Sequence, residues 1–298
     1  MNPIDKKIKT LKKVIPQALS YLRECCICPR NCNVNRLEDE RGFCGIGRHA
    51  IVNKVKIQKE REDFLNGHGD SGMVFFASCN LRCIYCNNYK ISQTLEGKEH
   101  TPDELADVFL KLQSHGAQNI NLVSPTHVSP QIMEGLLIAY EKGLQLPLIY
   151  NTGGFDVLKM LRLWKDIVDI YIINMKYGNK KMAKQYSLAF NYPKVNQRAM
   201  EEMYQQVGLL QINGDKTATQ GLLVRHLVLP ENQGNSELVF ESIKLINHEI
   251  QTSVYLDYQP DYRAFKISPI NRKLNYQEIN KLHFLVQLNG LKNVTFYN

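Results

Sequence analysis

The chain lacks a hydrophobic stretch near the roughly 20 residues that span a bilayer, and none of its 298 residues after Cys86 is a cysteine. The first absence excludes a membrane-spanning helix. The start of the chain carries Lys6, Lys7, Lys9, Lys12 and Lys13 but no apolar stretch of the kind a secretory signal needs, so a cytoplasmic location is expected. No internal repeat and no low-complexity linker appears, which leaves out solenoids and tethered modules. The net charge of +8 is moderate, and the basic residues are not interleaved with aromatics, so no nucleic-acid surface is expected. The five early lysines read as the solvated face of a helix over 4–22.

What is present is an ordinary globular composition, 44% hydrophobic and 22% charged, enough for one large core with a small appendage. A cysteine-rich stretch covers 25–47, and the turn-rich "NGHGDSG" at 66–72 marks a boundary. Beyond it, apolar runs at 72–78, 119–124, 147–150, 168–173, 221–229 and 253–258 read as six strands. Helical stretches separate them: one from Thr101, with Pro102 at the first helical position and Glu104 completing a capping box, then 129–144, 155–165, 180–210 and 237–249. Strand–helix alternation predicts right-handed βαβ units, a parallel sheet and an open or partial barrel. The division expected is 1–70, a helix and cysteine-rich segment; 71–270, the barrel; and 271–298, a closing helix and strand. Polar and glycine residues collect just after strands, at Cys79, Ser124–His127, Asn151–Gly154 and Asn174–Lys176. In parallel α/β folds, that end of the sheet carries the site.

All eight cysteines lie between Cys25 and Cys86, and in a reducing compartment clustered thiols point to metal or catalysis rather than disulfides. Cys79, Cys83 and Cys86 stand in a C-x3-C-x2-C loop directly after a strand. Three thiolates are one short of a closed zinc site. His127 or an upstream cysteine such as Cys44 could complete it, or the thiols could be buried and unligated. An open fourth position instead suits a [4Fe–4S] cluster with one free iron. Farther upstream, Cys25, Cys28, Cys32 and Cys44 give C-x2-C-x3-C-x11-C, which fits tetrahedral zinc or a second iron–sulfur cluster and leaves Cys26 as a spare.

The C-x3-C-x-aromatic-C pattern, with Tyr85 as the aromatic, resembles the signature of the radical S-adenosylmethionine (SAM) enzymes. "CCICPRNCNVNR" followed by "GFCG", then "VFFASCNLRCIYCNNYKIS", "GAQNINLVSPTH", "PLIYNTGGF", "VDIYIINMKY" and "VRHLVLPE" extend the likeness over residues 20 to 265. Together they resemble the pyruvate formate-lyase activating enzyme-like branch that has a cysteine-rich N-terminal segment. The resemblance implies a partial (β/α)6 barrel, a [4Fe–4S] cluster on Cys79, Cys83 and Cys86, and SAM bound through its amino and carboxylate groups to the free iron. It implies reductive cleavage of SAM to a 5′-deoxyadenosyl radical that takes a hydrogen atom from a substrate, with an electron donor such as flavodoxin or ferredoxin. It places SAM contacts at Tyr85, Thr126, Asn151, Thr152, Gly153, Asn174 and Lys176.

Two departures stand out. Where true glycyl-radical activases carry a Gly-Gly-Glu type segment, this chain has Ser124, Pro125, Thr126 and His127. Where relatives have Asp-x-Lys and an Asp-Thr pair that hold a monovalent cation, it has Asn174-Met175-Lys176 and Asn151-Thr152. Asparagine offers a carbonyl oxygen without charge, so weak or absent cation dependence is expected. Arg225 and His226 sit in one apolar run, so alternation turns one inward and one outward. The leading reading is a radical SAM oxidoreductase acting on a protein or peptide; the alternatives are one acting on a metabolite, and a non-catalytic metal-binding protein that keeps the fold.

Overall fold

Each of the six apolar runs becomes a strand whose alternate side chains sort onto two faces. The computed structural model describes residues 2–298. In chain order the elements are α1 (Pro3–Ser20), β1 (Ala50–Gln58), β2 (Ser71–Phe76), α2 (Tyr89–Ser92), β3 (Lys98–His100), α3 (Pro102–Ser114), β4 (Ile120–Val123), α4 (Ser129–Glu141), β5 (Leu148–Thr152) and α5 (Leu158–Leu161). They continue with β6 (Ile170–Asn174), α6 (Lys180–Ser187), α7 (Tyr192–Val207), β7 (Gln211–Ile212), β8 (Ala218–Leu227), α8 (Ser236–Ile246), β9 (Gln251–Tyr255), α9 (Tyr276–Asn289) and β10 (Val294–Tyr297).

The sheet runs β10-β9-β8-β6-β5-β4-β2-β1-β3, with β7 attached to β8. From β2 to β10 every neighbouring pair is parallel. This is the expected α/β fold with a mostly parallel, open sheet. The outward side chains Val74, Leu122, Tyr150, Tyr171, Val224 and Val254 join the main core under the helices. On the concave face Ile149, Ile170, Ile172 and Leu223 form a second apolar layer, and Leu65 inserts into it.

The capping box of α3 is present, with Thr101 Oγ1 accepting from Glu104 N and Glu104 accepting from Thr101 N. Two helical expectations are corrected. The stretch 155–165 forms only α5 and a 3-10 turn, Arg162–Trp164, because Gly154 is left-handed at φ +75° and the Asp156 side chain is engaged elsewhere. The stretch 180–210 breaks at Leu188, which takes φ +52°, into α6 and α7.

The stretch 1–70 is built onto the sheet. Strand β1, not anticipated although Val55 and Ile57 alternate with Lys54 and Lys56, pairs antiparallel with β2 across the turn-rich stretch 66–72. The lysines of α1 are not all solvated either: Lys7 is buried and its ammonium donates to Asp169 at 2.5 Å.

Loop 59–66 then closes the bottom of the concave face. Glu60 and Glu62 point inward and hold Arg225: Glu62 accepts from Arg225 Nε at 3.0 Å and Glu60 from Arg225 Nη2 at 3.1 Å. The concave cavity therefore has a polar, charged floor above an apolar plug. His226, the outward partner in the alternation, is a satisfied core histidine. Its Nδ1 lies 2.6 Å from Met175 O, and its Nε2 lies 2.9 Å from Ser236 Oγ.

Candidate active site at the three-cysteine loop

Strand β2 delivers the chain to the C-terminal end of the sheet, where residues 78–88 turn across the cavity. Ser78 (φ +68°) and Arg82 (φ +51°) adopt left-handed backbone that side chains resist, so the loop's shape is held by its surroundings. Asn80 Nδ2 donates to Phe155 O at 2.7 Å, and Ile84 N donates to Tyr186 O at 2.9 Å. Arg263 N donates to Ile84 O at 3.0 Å, and Gln93 Nε2 to Cys83 O at 3.2 Å.

The three thiols line a cavity of about 760 Å³. Each sulfur receives a hydrogen bond: Cys79 from Leu81 N at 3.4 Å, Cys83 from Ser187 Oγ at 2.9 Å, Cys86 from Ser92 Oγ at 3.2 Å. Burial pushes the Cys79 thiol up to about 11, with the neighbouring Cys83 adding to the rise, and burial likewise raises Cys86. The Cys79 and Cys86 thiols so placed resist ionisation unless a cationic centre joins them. Among the described residues no three thiol, imidazole or carboxylate groups stand close enough to share one metal ion. Three thiols that share one cavity leave a fourth position open, which suits a [4Fe–4S] cluster with one free iron. His127 does not complete the loop: it is buried, lies outside the cavity wall, and its Nε2 is 2.8 Å from Ala77 O.

Of the other residues expected here, Tyr85, Asn151, Thr152, Gly153, Asn174 and Lys176 all line the same cavity. Tyr85 is buried edge-on against Tyr177, Tyr186 and Tyr258, with ring centroids 6.2, 6.4 and 6.2 Å away. Asn174 Nδ2 donates to Thr152 O at 2.8 Å, tying the ends of β5 and β6 together. Lys176 has no carboxylate partner among the described residues, and its charge opposes the burial-driven rise at the neighbouring Cys86. At Gly153 a Cβ would meet Leu81 Cδ1 at 2.7 Å, so glycine lets the Leu81 side chain of the cysteine loop pack directly on the β5 end.

Thr126 departs from expectation. It is buried behind the cavity wall, and its Oγ1 donates to Asp156 Oδ1 at 2.7 Å. Asp156 also accepts from Thr152 Oγ1 at 2.7 Å and Tyr150 OH at 3.0 Å. Burial raises the Asp156 carboxyl, and the three hydroxyls counter that rise. Sequence reasoning missed this hub; its only signal was a carboxylate four residues beyond Thr152. Thr126→Val should therefore cost about 1–3 kcal/mol of stability, the penalty for a buried acceptor losing a donor. A thermal melt should show the loss, while the KM for SAM stays unchanged. A KM rise without a stability loss would return Thr126 to the cofactor.

The floor below the cluster loop is the other missed part. Glu60, Arg225, Tyr255 and Asp257 all face the cavity, and no motif announces them.

Residues 73–207 match the family model of the Radical SAM superfamily. The chain is 27% identical over 290 residues to Uncharacterized protein MJ0674 of Methanocaldococcus jannaschii, covering 94% of this chain and 77% of that protein. It is 24% identical over 265 residues to Uncharacterized protein MJ0808 of the same organism, covering 82% and 73%. Among solved structures, a radical SAM methyltransferase from Sphaerobacter thermophilus superposes with a TM-score of 0.52 at 13% identity, covering 76% of this chain and 66% of that one. QueE from Escherichia coli gives 0.46 at 10% identity, over 84% and 95%. The matched residues hold β2, β4, β5 and β6 and all three cysteines of the loop, so the similarity to the Radical SAM superfamily falls on the stretch that builds the cavity.

Proposed function

We propose that the protein is a radical SAM oxidoreductase acting on a polypeptide segment, with its cluster on Cys79, Cys83 and Cys86. The observation that carries the reading is the shared cavity: three thiols on one loop face the polar ends of β4, β5 and β6 across about 760 Å³. Bound there, the cluster and SAM supply one-electron cleavage of the sulfonium and a deoxyadenosyl radical that takes a hydrogen atom from substrate.

The chain's own residues bind and orient. Lys176, unpaired and beside Cys86, is placed to meet a carboxylate. Asn151 and Asn174 present amides beside it, and Gly153 lets the loop close over the β5 end. Tyr85 closes one wall with its aromatic neighbours and keeps water out. Ser187 and Ser92 donate to the sulfurs of Cys83 and Cys86, which favours their ionised, metal-bound form.

Two features support a polypeptide over a small metabolite. The rim carries side-chain amides at Gln58, Asn87, Asn88 and Gln259, which donate and accept like the peptide groups they would meet. Lys54 and Lys56, exposed on β1, line the same cavity. The departures at Ser124–His127 and Asn174 weigh against a glycyl-radical activase proper. The experiment is anaerobic reconstitution with iron and sulfide, then dithionite and SAM, read as 5′-deoxyadenosine. A loaded cluster with no cleavage would favour a binding protein that keeps the fold. Deuterium carried into deoxyadenosine from labelled metabolites, and never from labelled peptide, would sink the polypeptide reading alone.

A further inference from the structure

Strand β1 is covered along only half its length. Ala50, Ile51 and Val52 pair with β3, and the pairing stops there. At Asn53 a bulge shifts the register against β2, and Asn53 Nδ2 donates to Glu96 O at 2.7 Å, which fixes the point where the chain joins β1. From Lys54 to Gln58 the strand continues with β2 on one side only. In an antiparallel ladder every second residue turns its N–H and C=O away from its neighbour. Among the described residues, the groups of 54–58 so turned meet no other backbone.

We propose that this free half of β1 docks the substrate as an added strand, an extended polypeptide segment in which acidic side chains alternate with apolar ones. The proposal rests on the cavity's acting on a polypeptide. In this mode of recognition main-chain hydrogen bonds supply affinity and alternate side chains supply specificity.

The alternation follows from the two faces of β1. Lys54, Lys56 and Gln58 line the cavity, whereas Val55 and Ile57 point the other way and are exposed. A strand laid beside β1 sets its own two rows of side chains against these two. Neither lysine meets a carboxylate among the described residues. Lys56 Nζ donates to Gln58 Oε1 at 3.2 Å, and the contact with Lys56 lowers the Lys54 ammonium. Two crowded cations on one face match carboxylates placed opposite them. Arg61 is already paired with Asp257, at 2.6 Å.

Lysines also protect sheet edges from other chains, but an edge kept only for that purpose omits exposed apolar residues, and this one carries Val55 and Ile57. A second copy of β1 is a poor occupant, because antiparallel copies would set lysine against lysine. The edge leads to the reactive centre as well. Lys54 stands opposite Phe75, on the strand that runs directly to Cys79. The row of an added strand that faces Lys54 and Lys56 therefore points into the space the three thiols line.

The probe is a short, fluorescently labelled peptide that alternates glutamate and valine. A lysine–valine peptide and an N-methylated glutamate–valine peptide are the controls. Binding to the reconstituted full-length protein is read by anisotropy, and its position by backbone hydrogen exchange. The glutamate peptide should bind and slow exchange within 53–58, and N-methylation of the amides that face β1 should abolish both effects. K54E/K56E should weaken the glutamate peptide by about tenfold or more and tighten the lysine peptide by a similar factor. That reciprocal gain separates lost docking from lost folding. The inference is overturned if the glutamate peptide does not bind, if it binds without slowing exchange at 53–58, or if K54E/K56E weakens both peptides alike. Slowed exchange that grows with protein concentration alone would place a second copy on the edge and overturn it too. Deuterium carried into deoxyadenosine from a labelled peptide that leaves the edge unprotected would reject this docking and keep the polypeptide reading. Transfer from metabolites alone would sink that reading even where the edge binds peptide.

Discussion

Cys83→Ala is expected to lower deoxyadenosine production by about a thousandfold or more, to the rate of the uncatalysed background. A cluster that leaves one iron free for SAM needs all three thiolates, and Cys83 has no substitute within reach: His127 and the N-terminal Cys25, Cys28, Cys32 and Cys44 line a separate small void. The sulfur of Cys83 also sits at the junction of two supports, the Ser187 hydroxyl and, through that residue's carbonyl, Arg30. Loss of the cluster's visible absorbance should accompany loss of activity. Activity retained at more than a few per cent would mean that the three-cysteine loop is not the reactive centre. Ser187→Ala removes only one donor to sulfur, so its effect should be far smaller and should appear first in the reduction potential.

Most of this arrangement could be read from the chain because local signals and global topology agree. Apolar runs of strand length, separated by helices with recognisable starts such as Thr101-Pro102, predict the parallel sheet, and the sheet brings distant strand ends together. Cys79, Asn151 and Asn174 reach one cavity because each directly follows or ends a parallel strand. Residues whose role depends on long-range partners were not legible. Thr126 lies at a strand end like the others, yet Asp156, thirty residues on, captures its hydroxyl. Lys7 reads as one of five solvated lysines until Asp169 is placed beside it. Strand β1 carries a period-two pattern, but its outer residues Val55 and Ile57 stay 41% and 37% exposed, so no buried face reinforces the signal. The Glu60–Arg225–Glu62 floor joins residues more than 160 positions apart, a contact that no sequence window contains.

That floor supports the largest expected change in stability. Arg225→Met should destabilise the protein by about 3–5 kcal/mol, because it strands two buried carboxylates rather than because the ion pairs themselves add that much. Glu62 is fully buried and bonded to Arg225 Nε and to Tyr255 OH, the latter at 2.6 Å; Glu60 is shared between Arg225 and Asn121 Nδ2, 2.6 Å away. Burial pushes the Glu62 carboxyl up, and the Arg225 guanidinium, with the hydroxyls of Tyr255 and Ser253, more than offsets this, leaving it below the usual carboxylate range. In the native protein this carboxylate therefore contributes stability above its unfolded pKa and loses it as the pH falls through the folded one. Without Arg225 the sign reverses: burial alone raises the carboxyl, and stability is lost as the pH rises. Melts of the two proteins should accordingly lie farthest apart near pH 8 and draw together near pH 5.5. R225M/E60L/E62L should recover most of the loss, since an apolar floor leaves no unpaired charge. An equal deficit at both pH values, or a triple variant no better than the single one, would place the cost in packing rather than in stranded carboxylates.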